Sequence, residues 1–498
     1  MDYYLGIDIG TSQSKGVLID SEGEICVTSV TSHDVDNPKP GWFSQNADEI
    51  WWGDFCKLCH DLIKKAQIQS SQIKCVGLSA LGCDCVPVDE EGKALCEAIL
   101  YGIDSRADKE IAWITEKYGD EADQLFGHRP CSSDVAPKVL WFKNNHREIW
   151  EKAYKFLTAS SYLCGRLTDH YVLDPYLAED FLPMYDLKRG QVDLVRCLDF
   201  CRPDQMAELL PATDVAGEVT ERAAKETGLT EGTPVLTGTG DSGAEAISAG
   251  VCRPGDLMIQ LGSTGYMIYL SDHIIDEPSL WPGTFIIPGT YGICAGTNTA
   301  GALTQWMREQ WYQEMEDKEE SPFHLMELDA ASVPAGSEGL ICLPYFAGER
   351  TPINDPEARG CFFGLQTCHT RGHMVRSALE GICYTLKANL EMMRKHNLPV
   401  QRILVVGGGT KNSVWLQCLS DILEEELCIP KVTVGASYGD ALMAALAHGA
   451  FKNWQELSDN IQIEKVCIPN PENFKIYRKQ GKIFKELYEV TKEFMHQL

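Results

Sequence analysis

Four short stretches of this 498-residue chain hold residues whose types and spacing could do chemistry. In YYLGIDIGTSQSKGVLID, a strand apolar at Leu5, Ile7 and Ile9 carries one carboxylate, Asp8. It runs at once into the turn Gly10-Thr11-Ser12-Gln13-Ser14, with Lys15 at its end. An isolated carboxylate in an apolar strand is costly unless a partner compensates it. A magnesium ion, bound directly or through its waters, is a natural partner beside phosphates; neighbouring backbone amides are the alternative. Turns of Gly, Thr and Ser between short strands can aim successive N–H groups and hydroxyls at one anion, a nest for phosphate, and Lys15 could add a cation. A second such turn, Gly262-Ser263-Thr264-Gly265, lies in GDLMIQLGSTGYMIYLSD. One turn in each half could grip the phosphates of a single ligand from both sides.

The third stretch, PVLTGTGDSGAEAISAG, passes from a strand through Gly238 and Gly240 to Asp241 and a small-residue helix. Asp241 is either the N-cap of that helix or a base. The helix N-terminus favours its ionised form, and a carboxylate placed next to bound ATP can accept a proton from an attacking hydroxyl. The fourth stretch, RILVVGGGTKNSVWLQCLSDIL, reads as strand, triple-glycine turn and helix. Its Gly407-Gly408-Gly409 lacks the dinucleotide-binding spacing but lets a flat group such as an adenine ring approach the backbone. Asn412 either contacts that ring or caps the helix that follows.

The elements that must position these residues are legible from periodicity. A meander of strands is expected at Leu5–Ile9, Gly16–Ile19 and, after the DSEG turn, Glu24–Val30. The second half repeats its opening device, with Tyr266–Leu270 leaving the second turn. A division near residue 245 follows, giving two α/β domains, 1–245 and 246–498. In NADEIWWGDFCKLCHDLIKKAQ, Trp51, Phe55, Leu58 and Leu62 recur at helical spacing behind an Asn46/Glu49 cap pair. The Cys56–His60 match to a haem attachment motif therefore reads as ordinary helix. A long helix is expected through Val375, Leu379, Ile382, Leu386, Leu390 and Met393.

A formal net charge of −28 argues against nucleic acid and anionic membrane as partners, since both need basic surface. No apolar run is long enough to cross a bilayer, and the opening MDYYLGIDIG lacks a basic region. A cytoplasmic protein is the expectation, with its 20 cysteines reduced and the Cys83/Cys85 pair too sparse for a zinc cage. Tryptophan- and cysteine-rich surfaces leave room for a homodimer.

Taken together, these stretches resemble the FGGY carbohydrate kinases of the actin-like ATPase superfamily. In GCFFGLQTCHTRGHMVRSALEG, Gly360, Phe362, Gly364-Leu365, His373-Met374 and Ser377-Ala378-Leu379-Glu380 fall at the spacing of the family's second signature. LPYFAGERTPINDPEARG is similar to the matching loop of xylulose kinases, and GWFSQNADEIWW to the family's tryptophan-containing segment. PKVLWFKNN, with Lys138, Trp141 and Asn145, is similar to the first signature, although Val135 departs from it. The resemblance implies two actin-like (ribonuclease H-like) α/β domains with a catalytic cleft between them. It also implies ATP, Mg2+ and direct, in-line transfer of the γ-phosphoryl group to a sugar hydroxyl, in a site that closes to exclude water. It gives each residue a role. Asp8 would coordinate magnesium. Thr11, Ser12, Gln13 and Lys15 would line the first phosphate loop, and Gly262 and Thr264 the second. Asp241 would be the catalytic base, in contact with the sugar. In GTNTAGALTQWM, Gly301 and Gln305 would approach the nucleotide, while Gly408, Gly409 and Asn412 would hold adenosine.

The match weakens at the acceptor. Xylulose kinases usually carry a Met-His-Gly segment contacting the ketose, where this chain has Gly82, Cys83 and Asp84 in LSALGCDCVPVD. The Arg-Glu pair of glycerol kinases is missing as well. Ser161 stands where an aspartate commonly precedes the tyrosine, and YGIDSRAD differs from the usual tryptophan-containing version. A pentulose such as D-xylulose is the first expectation, with Gly82 and Cys83 beside it. The alternatives are ribulose, fuculose or a polyol such as erythritol, or an actin-like protein that binds ATP and sugar without catalysis.

Overall fold

The computed structural model describes residues 1–277, 279–313 and 321–498. The chain forms two compact units, each with its own apolar core. Unit 1 comprises Met1–Cys252, Gly283–Tyr291 and Val434–Asn460; unit 2 comprises Arg253–Pro282, Gly292–Thr433 and Ile461–Leu498.

Unit 1 is built on a mixed sheet. Strand β1 (Tyr3–Ile9) pairs antiparallel with β2 (Gln13–Asp20), which pairs antiparallel with β3 (Ile25–Ser32). Helix α1 (Gly53–Ala66) follows, entered through a helical turn that the Asn46 side chain caps by accepting the N–H groups of Asp48 and Glu49. Cys56 and Cys59 lie on this helix, and both are free thiols. Strand β4 (Ile73–Ala80) then runs parallel to β1 on the side away from β2. Helices α2 (Ala159–Thr168) and α3 (Pro175–Ala178), strand β5 (Pro234–Leu236) beside β4, and helix α4 (Asp241–Ala249) complete the run.

Because side chains alternate along a strand, Leu5, Ile7 and Ile9 of β1 enter the apolar core while Gly6 and Asp8 face the other way. The register places Lys15 on β2 and Ser79 on β4 directly opposite Asp8, so three polar side chains share one face at the sheet's centre.

Unit 2 repeats the device. Strand β6 (Asp256–Leu261) turns into antiparallel β7 (Gly265–Ser271), which neighbours β8 (Tyr291–Thr297). Helices α5 (Gly301–Trp311) and α6 (Arg371–Lys395) follow. Strand β9 (Arg402–Val406) runs parallel to β6 as β4 does to β1. Helix α7 (Ser413–Leu423) then leads to Leu427–Pro430, parallel to β9, and later to antiparallel Ile463–Cys467. The expected meander, second hairpin and long helix are all present; the third strand of the meander starts at Ile25, one residue after its expected start. No helix among the described residues is long and apolar enough to cross a membrane.

Helix α8 (Ala436–Ala447) belongs to unit 1 and lies on the Gly6/Asp8 face of its sheet. Glycines permit this approach. A Cβ on Gly6 would come within 2.0 Å of the Ser437 carbonyl oxygen, and one on Gly77 within 2.1 Å of that of Asp440. On the helix itself, a Cβ on Gly439 would lie 1.9 Å from the Ala244 carbonyl oxygen of α4. All three obstacles are backbone atoms, which cannot rotate aside. Gly439→Ala should therefore push α8 off α4, at a cost of about 1–3 kcal/mol as for other overpacked sites. A melting temperature lower by several degrees is expected; an unchanged one would contradict this packing.

Candidate functional site

Asp8 is 7% exposed, and its Oδ1 accepts a hydrogen bond from the Ser79 hydroxyl at 3.2 Å. The same hydroxyl lies 2.7 Å from Oδ2 of Asp440, on α8. Asp440 is fully buried, and its other oxygen has no hydrogen-bond partner among the described residues. Asp241 completes the group. Gly240, not Asp241, holds the N-cap position of α4, so Asp241 is the first helical residue, its Oδ1 accepting the N–H of Ser242 at 2.7 Å.

Ionising these carboxyls would place negative charge where water solvates it poorly. Burial, then the charge of Asp241, push the Asp8 carboxyl up to about 8, with Lys15 pulling the other way. Burial pushes Asp241 up to about 6. Burial and the nearby Asp8 drive Asp440 well above the ordinary carboxylate range. Such a set is under-neutralised by the protein's own cations, and hard oxygen donors of this kind suit a divalent cation such as magnesium.

The first turn lies at the edge of this group. The Gly10 N–H bonds back to the Gln13 carbonyl at 3.0 Å. Ser12 and Gln13 are exposed, Thr11 partly so. Lys15 lies on β2 beyond the turn, opposite Asp8. Three side chains that the sequence reading passed over hold the turn in place. Gln45 donates to the Thr11 carbonyl at 2.8 Å, and its own oxygen accepts from Trp51 Nε1 at 2.9 Å. The Thr11 hydroxyl donates to the Tyr101 hydroxyl at 3.1 Å. His33 places Nδ1 2.8 Å from an Asp54 carboxylate oxygen, and Nε2 3.1 Å from the Gly10 carbonyl and 3.2 Å from that of Thr11. Every one of these partners is an acceptor, so both ring nitrogens must carry protons. Burial opposes that charge, but Asp54 and the two carbonyls outweigh it and hold the imidazole above its ordinary pKa.

In unit 2, six of the residues selected from the sequence line one cavity of about 1030 Å3: Gly262, Gly301, Gln305, Gly408, Gly409 and Asn412. Gly301 has no room for a side chain, since a Cβ would lie 2.5 Å from the Gly262 carbonyl oxygen. Gly408 opens onto free space, and a Cβ there would meet nothing; its backbone can be approached by a planar ligand. Asn412 caps α7 by accepting the Trp415 N–H at 2.9 Å while still lining the cavity. Thr264 stands apart, its carbonyl accepting the Gly262 N–H at 3.1 Å to close the second turn. In the GERTP loop, buried Glu349 accepts from the Thr297 hydroxyl at 2.7 Å and the Asn298 N–H at 3.2 Å. That loop braces the end of β8 just before α5.

Gly82 and Cys83 lie after β4, beside the helical turn Glu179–Phe181 that continues α3. A Cβ on Gly82 would lie 3.9 Å from Oδ2 of Asp180. Asp84 is fully buried; one oxygen accepts the Ala159 N–H at the head of α2, at 2.9 Å, and the other has no partner among the described residues.

Residues 3–248 match the N-terminal domain, and residues 257–448 the C-terminal domain, of the FGGY family of carbohydrate kinases. The chain is 29% identical over 503 residues to xylulose kinase of Lactococcus lactis, with 100% of this chain and 99% of that protein covered. It is 28% identical over 492 residues to gluconokinase of Bacillus subtilis, covering 97% and 94%. The crystal structure of xylulose kinase from Rhodospirillum rubrum superposes with a TM-score of 0.91 at 26% identity, covering 99% of this chain and 100% of that one.

The His33 anchor has a pH signature. With the folded-state pKa above the ordinary value of about 6.5, its contribution is complete below that value and is lost as the pH rises through the raised one. His33→Ala should lower the melting temperature below pH 6.5, removing hydrogen bonds of the charged kind worth about 1.5–3 kcal/mol. The difference from the parent chain should shrink towards pH 9. A deficit independent of pH would contradict a protonated anchor.

Proposed function

Since the chain belongs to the FGGY family of carbohydrate kinases, we propose that it transfers the γ-phosphoryl group of ATP to a hydroxyl of a pentulose, D-xylulose first, with Asp241 as the base. The observation that carries this reading is the placement of Asp241. It is a partly exposed carboxylate at the start of a helix, beside the Asp8 group and, among the described residues, in no ion pair with a cation. A base must be ionised and aimed at the hydroxyl it deprotonates. The N-terminus of α4 favours the ionised form, and Gly240 lets Leu177 and Tyr176 pack beside it, within 3.0 and 3.3 Å of where a Cβ would lie. The choice of pentulose rests on the likeness to xylulose kinases, since the GERTP loop is occupied in bracing β8.

Asp8 and Asp440 would hold magnesium, which would neutralise phosphoryl oxygens as charge shifts between them. The chain's own part is positioning. N–H groups of the Gly10–Gln13 turn, steadied by His33 and Gln45, would orient phosphate oxygens. Lys15 would offset their charge across the strand from Asp8. The cavity on Gly408 and Gly409 would take the adenine ring, with Gly301 allowing close approach. Asp241 would accept the sugar proton as the hydroxyl oxygen bonds to phosphorus, and the bond from phosphorus to the bridging oxygen of ADP breaks.

ADP release should be measured with ATP and magnesium across D-xylulose, D- and L-ribulose, L-xylulose, L-fuculose, glycerol and erythritol. A strong response to D-xylulose is expected. A response confined to another sugar would move the acceptor assignment, and silence would overturn catalysis. Asp241→Ala should lower turnover by about 10²- to 10⁴-fold, the range for loss of a general base, while calorimetry still detects nucleotide binding. Normal turnover by this variant would refute the base assignment.

A further inference from the structure

We infer that His128, Cys131 and Asp134 form a zinc site in unit 1, on a different donor set from the carboxyls proposed for magnesium. The phosphoryl-transfer reading does not call for this metal, and the inference stands or falls without that reading.

The three residues follow one another at intervals of three, in HRPCSSD, at the entrance to the helix Val135–Asn145. An imidazole nitrogen, the thiol sulfur and a carboxylate oxygen, one from each residue, all lie within 4.8 Å of one another. Asp134 occupies the N-cap position of the helix, where an aspartate ordinarily accepts an N–H of the first turn. Its side chain makes no such bond. The carboxylate turns back instead, with Oδ2 accepting the Cys131 N–H at 2.7 Å and Oδ1 lying 3.2 Å from Nε2 of His128. The Asp134 N–H donates to the Cys131 carbonyl at 3.1 Å, which closes the turn. Further contacts hold that turn in place. The Ser132 hydroxyl donates to the Gly102 carbonyl at 2.9 Å, and buried Lys138 donates to the carbonyls of Ser132 and Asp134 at 2.7 and 2.8 Å.

His128 shows why a cation belongs there. Its Nδ1 lies 2.9 Å from the Arg129 carbonyl, which can only accept, so Nδ1 carries a proton. Nε2 then faces Oδ1 of Asp134, and either a proton or a metal ion must lie between the two. A proton accounts for that pair but gives no reason for a sulfur converging on the same point. A zinc ion uses all three donors. Tetrahedral zinc, with bonds of about 2.0–2.3 Å, holds its ligand atoms about 3.3–3.6 Å apart, so the nitrogen and oxygen are already close to the spacing required. The bond from His128 Nδ1 to a backbone carbonyl is the outer contact that orients a ligating histidine. Charge balances as well: a thiolate and a carboxylate offset the dication, and the imidazole binds neutral. Binding forms bonds to Nε2, Sγ and Oδ1 and releases the protons of Nε2 and of the thiol to solvent. Sulfur and imidazole donors suit zinc and not magnesium. Cys131 is exposed and His128 partly so, which gives the ion a way in. Among the described residues no fourth side chain of this kind joins the group, which leaves the fourth tetrahedral position to water.

The test uses the full chain, stripped with a chelator and titrated with cobalt(II) and then zinc, with no ATP or sugar present. Cobalt should give a thiolate-to-metal charge-transfer band and the intense visible bands of tetrahedral coordination, at one ion per chain, and zinc should displace it. His128→Gln and Cys131→Ser should each weaken zinc, read by competition with a chromophoric chelator. The loss should exceed the about 10- to 100-fold that follows removal of a ligand's outer contact alone. Cys368→Ser, at an exposed thiol elsewhere in the chain, should leave the band unchanged. Asp134→Asn, which can still accept the Cys131 N–H, provides the same comparison should either ligand variant fold poorly. Absence of the charge-transfer band in the parent chain, or a band and affinity unchanged in a folded ligand variant, would overturn the inference. Loss of the band in Cys368→Ser alone would overturn it too. With neither substrate present, failure of the kinase reading would leave this result untouched.

Discussion

The structure of unit 1 turns on an electrostatic conflict: three carboxyl groups, buried Asp8 and Asp440 and partly exposed Asp241, lie within reach of one another's charge. Folding gains nothing from that arrangement, because desolvation and mutual repulsion both oppose ionisation. Ser79 bridges two of the three with a single hydroxyl, and Lys15 acts on Asp8 against the repulsion. The rest of unit 1 can be understood as what holds these groups in place despite the cost. A central strand carries one of them, a helix start the second and a returning helix the third. Perturbed carboxyls of this kind belong to functional sites more often than to structural ones.

Close backbone approach is the means. Gly6, Gly77 and Gly439 let α8 lie against the sheet and α4 at distances no side chain would permit, so Asp440 reaches Ser79 without a long side chain. The apolar half of β1 fixes the strand's register by burying Leu5, Ile7 and Ile9; a slip of one residue would turn Asp8 into the core. In unit 2 the same hairpin with a parallel third strand has no counterpart to Asp8. Its glycines instead leave backbone exposed along a cavity. One topology, used twice, thus presents side-chain charge in one unit and bare backbone in the other.

Much of this was legible in the residues alone. Alternation and turn chemistry located both hairpins, and a lone carboxylate in an apolar strand marked Asp8. Asp241 and the triple glycine stood at element boundaries where a ligand can reach the backbone. The family followed from motif spacing, which is local information. Asp440 carried the same signal as Asp8, a carboxylate within the apolar helix SYGDALMAALA, but nothing local says that α8 returns to the first unit. His33 and Gln45 gave no signal, because each acts through a partner distant in the chain: Asp54 and the Thr11 carbonyl. Sequence determines which segments become strands and helices, since burial periodicity and turn preference act over a few residues. Only the tertiary structure decided which charges meet, because that depends on which strands pair and how closely a glycine lets a helix approach.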